Sequence, residues 1–468
     1  MNGSAMLALC EQLFPICRSI TGNGVRETLR IIGESIPVQL HEVASGTAVF
    51  DWVVPPEWNL RRATLRGPDG AILADTDVHN LHVLNYSTPF RGTVTLDELR
   101  RHLFSRPDRP DVIPYRTSYY KPAWGFCLPH RIVESLVEGN YAVDIDTTLA
   151  PGSLTYGECL LPGESADEIV LSAHVCHPSL ANDNLSGIAV AVAAVRALRG
   201  RKRHYTVRVV FAPGTIGAIV WLHRNRANVG RVRHGLILSC LGDDGSMTYK
   251  ASRKESATID RVALAVLQAR GRPHSVRRFS PYGYDERQYS SPGFDLPFGV
   301  LMRTPYGEYD AYHTSADNCS LLDPAALEDS AETVLAIIDS LEGSVRPEGD
   351  LVPDPHEDSF VAEDATPPVA SPDEGRRFRN LQPYGEPQLG RRGLYATTGG
   401  TTKSAGYEMA LLWVLNLSDG HHDLRAIAVR SGLPLPTLLE AAAALLGVGL
   451  LEEITPGSAA DRSGASRR

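Results

Sequence analysis

The stretch "LSAHVCHPSLANDNLSG", residues 171–187, decides how the chain is read. An apolar run, "EIVLSA" (168–173), leads into His174, and His177 follows one turn later. Asp183 lies inside "NDNLSG", and "NLSGIAVAVAAVRAL" (184–198) continues small and apolar. A strand ending in histidine, then a tight polar turn that starts a helix, directs donors inward to one place. An imidazole and a carboxylate together are the ligand mix that suits zinc in a hydrolase.

The same texture repeats on either side. "GECLLPG" (157–163), "YTVRVVFAP" (205–213), "HGLILSCLG" (234–242) and "FGVLMRT" (298–304) are apolar, β-branched runs closed by Gly, Pro or a polar residue. Helical stretches at 185–199, 255–269 and 324–342 lie between or after them. This alternation predicts an α/β fold, a mixed sheet flanked by helices on both faces. Functional groups then collect at the carboxyl ends of the strands.

Further out, the first 35 residues read as helical, with Leu7, Leu13, Ile16 and Cys17 roughly on one face. From about residue 36 short alternating runs take over, and "GPDG" (67–70) marks a turn between two of them. The aromatic, proline-broken segment "PYRTSYYKPAWGFCLPH" (114–130) reads as an ordered wall, and Tyr119, Tyr120, Trp124 and Phe126 line either a pocket or a local core. Residues 343–404 are rich in proline, glycine and carboxylates, which is linker chemistry. Beyond them, 407–454 shows three helical segments with a turn at "SGLPL" and an apolar end, the outline of a winged helix. The expected division is 1–40 with 131–345 as the α/β domain and 41–130 as an inserted mostly-β domain. Residues 346–400 are expected as linker, 401–456 as the winged helix and 457–468 as a disordered tail.

Composition narrows the partners. A chain of 468 residues with 43% hydrophobic and 22% charged residues is that of a multidomain globular protein. Its net charge of −9 gives no reason to expect nucleic acid. The winged-helix stretch carries Glu408, Asp419, Asp423, Glu440, Glu452 and Glu453 against Arg425 and Arg430, so it lacks the basic face that phosphates require. Protein docking, or contact between copies of the chain, is the expected use of that module. Seven cysteines without CxxC spacing argue for a reducing compartment. No apolar run is long enough to span a membrane, and the first residues read as an amphipathic helix, not a signal peptide. We expect a cytoplasmic protein with a small-molecule or aminoacyl substrate.

Other strand ends supply more chemistry. "LILSCLGDDG" (236–245) closes with Asp243 and Asp244, and "GEYDAYHTSADN" (307–318) places His313 after Tyr312. His174, Asp183, Asp243 and His313 could converge on one metal or two. Cys176 reads as a small buried hydrophobe.

The order His, "DN-x-SG", strand-end Asp and "HTSAD" resembles the co-catalytic zinc aminopeptidases. The chain is closer still to a bacterial group of aminopeptidase-like proteins met near polysaccharide and natural-product biosynthesis functions. "LFPICRSITGNGVRETL", "PGSLTYGE", "HVCHPSLANDNLSG", "PGTIG", "DERQY" and "MRTPYGEYDAYHTSADN" resemble that group's motifs and span residues 10–320. The resemblance implies a zinc aminopeptidase-type (phosphorylase/hydrolase-like) α/β domain, an inserted β domain and an appended winged helix. It also implies that His174 and Asp243 hold one zinc, that Asp183 bridges and that His313 serves a second metal.

One position departs from the pattern. The aminopeptidases carry a Glu-Glu pair, a general base and a metal ligand, where "FAPGTIGAIVWL" (211–222) here has Gly214 and Thr215. Glycine moves no proton, and a threonine hydroxyl is a poor zinc ligand beside a carboxylate. One zinc is therefore expected, with an atypical base. Glu286, Glu308 and His177 are the catalytic candidates, and Asp285, Arg287 and Tyr312 the substrate-binding ones. The expected activity is hydrolysis of an amide bond in a small aminoacyl or acylamino compound. The alternatives are a catalytically altered binding or scaffold protein, or a site redirected to group transfer.

Overall fold

A computed structural model describes residues 1–344, 373, 375–394 and 406–454. Of the expected linker, residues 346–372, 374 and 395–400 lie outside the described residues, as does the tail from 457.

Eight strands form the main sheet. Their spatial order is Gln39–Ala44, Ser153–Leu161, Thr206–Ala212, Glu168–His174, Val232–Leu238, Phe298–Met302, Met247–Lys250 and His274–Arg277. The four central strands, 206–212 to 298–302, run parallel, and antiparallel pairings on either side make the sheet mixed. Every residue of Glu168–His174 is buried, which explains why it reads as a continuous apolar run without alternation.

Successive side chains leave a strand on opposite faces. Leu171 and Ala173 join a core built with helices Gly3–Leu13, Gly187–Leu198, Thr258–Ala269 and Pro324–Gly343. Val170, Val210 and Ala212 join another core with helix Ile216–Arg224 and with Tyr289. Helix 187–198 is made of Ala, Val, Ile and Leu on nearly every side because other helices cover it. Burying each Leu or Val of such a core contributes about 1.5–3 kcal/mol.

A four-stranded antiparallel sheet, ordered Ile72–Asp75, Glu57–Arg66, Asn140–Ala150 and Phe90–Thr95, forms the smaller β unit. Its strand 140–150 falls outside the span of 41–130 expected for that unit, because its partner lies some eighty residues upstream. Strand 39–44 straddles the expected boundary and pairs with the main sheet. Trp124 stacks on Phe90 and His102, and Phe126 is buried in the same core.

At the C-terminal end, helices Gly406–Leu417, Leu424–Ser431 and Leu435–Gly447 accompany a three-stranded sheet. Its middle strand is Arg377–Asn380, flanked by Asp419–Asp423 and Leu451–Ile454. Residues 377–380, expected as linker, thus belong to the winged helix, because Phe378 fills its core. Phe279 enters that core too, in edge-on contact with Trp413. Arg253 donates to the Asn416 side chain at 3.0 Å and pairs with Asp419 at 2.6 Å. Among the described residues no helix is long and apolar enough to cross a membrane.

Candidate metal centre

The parity that sends Val170 to the second core places His174 on that face, at the carboxyl end of its strand. The chain then turns back through His177 and enters the irregular turn 181–186, where Asp183 and Asn184 leave helical geometry. This turn is fastened from all sides. Asp317 accepts the main-chain N–H groups of Ala181, Asn182 and Asp183 at 2.6–3.1 Å. Asn184 donates to Leu238 O at 2.9 Å, and Ser186 accepts from Leu241 N at 2.9 Å. The residues of "NDNLSG" therefore satisfy a buried turn and leave one carboxylate, Asp183, facing the strand ends.

Three imidazoles surround that carboxylate. His174 Nε2 lies 2.8 Å from Asp183 Oδ1, His313 Nε2 lies 3.0 Å from Oδ2, and His177 Nδ1 lies 3.2 Å from Oδ2. The carboxylate is fully buried and the histidines nearly so. Burial lowers the proton affinity of His174 and brings His313 down to about 4. For His177 burial acts the same way, but the Asp183 charge outweighs it and holds this ring protonated. Burial opposes the Asp183 charge, and the His177 and His174 rings hold its carboxyl well below the usual range.

Tyr284 closes the far side. Its hydroxyl donates to Asp183 Oδ2 at 2.7 Å and sits 3.0 Å from His313 Nε2 and 2.5 Å from the Tyr312 hydroxyl. Its ring stacks on His174, and Tyr312 stacks on His313. Tyr115, from the aromatic segment 114–130, meets His177 and His313 edge-on.

Of the residues singled out from sequence, His174, His177, Asp183, His313 and Tyr312 come together. Asp243 does not join them. Its oxygens accept from Asn182 Nδ2 at 2.7 Å, Thr304 Oγ1 at 2.7 Å and Gly245 N at 2.8 Å. The preceding strand ends at Leu238, so the position beside the turn falls to Cys240, which adopts a positive φ of 52°. Cys240 N donates to Asn184 Oδ1 at 3.3 Å. Burial and then the Asp183 charge push the Cys240 thiol well up.

Glu286 is committed elsewhere. It forms a buried ion pair with Lys250 at 2.9 Å and accepts from Tyr306 at 3.2 Å and Tyr284 N at 3.0 Å. Glu308 is exposed and paired with Arg277. Arg287 pairs with Glu386 at 2.8 Å, toward the C-terminal unit. Asp285 lies near His174, beside Gly214. A Cβ built on Gly214 would lie 3.4 Å from Asp285 Oδ1 and 3.3 Å from His174 Cβ. Cys176 is buried among apolar side chains. The signal for Tyr284 and Asp285 was present in "YDERQY", but nothing in the spacing ranked Asp285 above Glu286.

Comparison with known proteins bears on the fold and the family. Residues 7–344 match a family described as a domain of unknown function, DUF4910, and residues 376–453 match a winged helix-turn-helix family. A Clostridium acetobutylicum protein, named as a candidate polysaccharide biosynthesis protein with aminopeptidase-like domain, is 44% identical over 96% of each chain. A crystal structure of a candidate peptidase from the same organism is 43% identical, with a TM-score of 0.71 over 97% of this chain and 96% of that one. A zinc aminopeptidase from Bacillus subtilis shares 13% identity and a TM-score of 0.56 over 75% of this chain and 98% of its own, a likeness of fold. The chain belongs to the DUF4910 family of aminopeptidase-like proteins, with a winged helix at its C-terminal end.

Proposed function

We propose that the protein is a zinc-dependent hydrolase of an amide bond in a small aminoacyl or acylamino compound, with one zinc per chain. The observation that carries this reading is the buried Asp183 carboxylate shared by three imidazoles. His174, His177 and Asp183 offer donor atoms that all lie within 4.8 Å of one another, which fits an ion with three protein ligands and an open position. His174 and His313 favour the neutral form a metal requires, and His177 would release its proton on binding. The Tyr284 hydroxyl lies against Asp183 Oδ2 and His313, the side a second ion would need, which favours one ion over two.

When bound, zinc would polarise the scissile carbonyl and ease the loss of a proton from water. The chain's own groups do the rest. Asp183 fixes the orientation of the histidines, while Tyr115 and Tyr312 keep bulk water from the rings they cover. Tyr284 supplies a hydroxyl beside the reacting groups that can donate to charge developing on the carbonyl oxygen. The name of the Clostridium relative suggests a substrate met in polysaccharide biosynthesis.

A second reading, a binding protein without turnover, is favoured by Gly214, which carries no proton-transferring group. Zinc-loaded protein incubated with a panel of aminoacyl p-nitroanilides separates the two. The hydrolase reading requires release of p-nitroaniline that Asp183→Asn abolishes, and the binding reading requires none.

A further inference from the structure

A hydrolase needs a group that takes a proton from water, and the carboxylates around the cluster are nearly all committed. Asp183 is shared by the histidines, Asp317 holds three main-chain N–H groups, and Asp243 is held by Asn182, Thr304 and Gly245. Glu286 is bound to Lys250, and Glu308 lies on the surface. Asp285 differs from all of these. It is 1% exposed, and its Oδ1 has no hydrogen-bond partner among the described residues. It precedes the short helix Glu286–Tyr289, yet its side chain makes no capping bond there. Oδ1 lies 3.4 Å from the place a Cβ on Gly214 would take, and His174 Cβ lies 3.3 Å from that same place, a notch that glycine leaves open.

We propose that Asp285 is the general base of this site, its carboxylate replacing in space, from another segment of the chain, the one that residue 214 lacks. The proposal rests on the hydrolase reading above. In the reaction Asp285 takes one proton from a water molecule lying between it and His174. The oxygen of that water forms a bond to the amide carbon. When the C–N bond breaks, the Asp285 carboxyl returns the proton to the departing nitrogen, so the carboxylate is regenerated. Hydrolysis consumes one water and needs no other reactant.

Two features support the assignment. Burial, then the neighbouring Glu286 charge, pushes the Asp285 carboxyl up to about 8, with Arg287 and His177 acting the other way. A proton affinity near neutrality suits a group that both takes and returns a proton. An unpartnered buried carboxylate also costs stability, which a purely structural residue would not impose.

The test compares wild type, Asp285→Asn and the double variant Gly214→Glu/Asp285→Asn. Zinc content, melting temperature and kcat on an aminoacyl p-nitroanilide are measured for each. Asp285→Asn is expected to keep its zinc, to melt at or above the wild-type temperature, and to lose about 10²–10⁴-fold in kcat with little change in KM. The double variant, with a carboxylate restored from the other side of the notch, is expected to regain part of that loss. Hydrolysis that survives Asp285→Asn overturns the role of Asp285 alone. A lower melting temperature with loss of zinc in that variant also overturns it, by showing a structural part. No hydrolysis by zinc-loaded wild type overturns the hydrolase reading, and the base role with it.

Discussion

The guanidinium of Arg18 donates from Nε to the main-chain carbonyl of His177 at 2.8 Å and from Nη1 to that of Leu13 at 2.6 Å. It is 1% exposed, and burial lowers its proton affinity only to about 10, so it stays charged at neutral pH. The motif "CRSITG" thus ties the first helix to the turn that carries the second histidine. Hydrogen bonds to a buried charge are worth about 1.5–3 kcal/mol, so Arg18→Met is expected to lower stability by at least that much. Urea denaturation measures the loss, and zinc titration should show weaker binding in the same variant.

Glu286 and Glu308 were equal candidates in the sequence, and the structure separates them. Breaking the buried Lys250–Glu286 pair strands an ammonium, so Glu286→Gln should cost about 3–5 kcal/mol. Glu308→Gln removes a surface pair and should stay within about 0.5 kcal/mol of wild type. Denaturation curves for the two variants check both values, and Glu308→Gln should keep the full zinc content.

Gly187 closes the motif that decides the fold. A Cβ there would lie 2.4 Å from Leu238 O and from Asn184 Oδ1. Gly187→Ala must push the turn away from the strand end, at an expected cost of about 1–3 kcal/mol. Thermal melting gives the cost, and zinc affinity should fall with it because Asn184 adjoins Asp183.

Asp285 makes stability depend on pH in a known direction. Its carboxyl rises from an ordinary 3.8 to about 8 on folding, so the folded chain holds this proton more tightly than the unfolded one. The resulting stability is complete below the lower value and disappears as pH rises through the upper one. The charged groups that set this balance are Glu286, Arg287 and His177. Asp285→Asn does not titrate, so its stability relative to wild type should grow from about pH 4 to about pH 8 and then level off. Denaturant midpoints across that range test the trend, and a constant difference would contradict it.

These cases show where sequence was enough. The central strands were legible because a strand buried on both faces must be largely apolar, as 169–173 and 209–212 are. The turn at 181–186 was legible because Asn182, Asn184 and Ser186 each satisfy a main-chain group. Cys240 and Asp243 were harder. Both follow the same strand, and only the positive φ at 240 shows which of them lies beside Asn184. Asp285 and Glu286 are adjacent carboxylates, and what divides them is Lys250, a lysine buried on a distant strand that no local pattern announces. Strand 140–150 does alternate, but its partner at 57–66 is a long-range pairing.

The C-terminal unit contacts Phe279, which lies just before Tyr284 and Asp285 in the chain, and also Arg253, after strand 247–250. Arg253→Ala removes a guanidinium that is 8% exposed and leaves Asp419 and Asn416 without it. Loss of stability by about 3 kcal/mol or more is expected from breaking such a pair. Limited proteolysis should then cut the connecting residues faster than in wild type.

The most direct test of the account is the zinc content of purified protein, dialysed after exposure to excess zinc, for wild type and Asp183→Asn. About one zinc per chain in wild type, falling to near zero in the variant, is the predicted result. Zinc far below one per chain in wild type, or equal in both proteins, would contradict a metal centre built on Asp183.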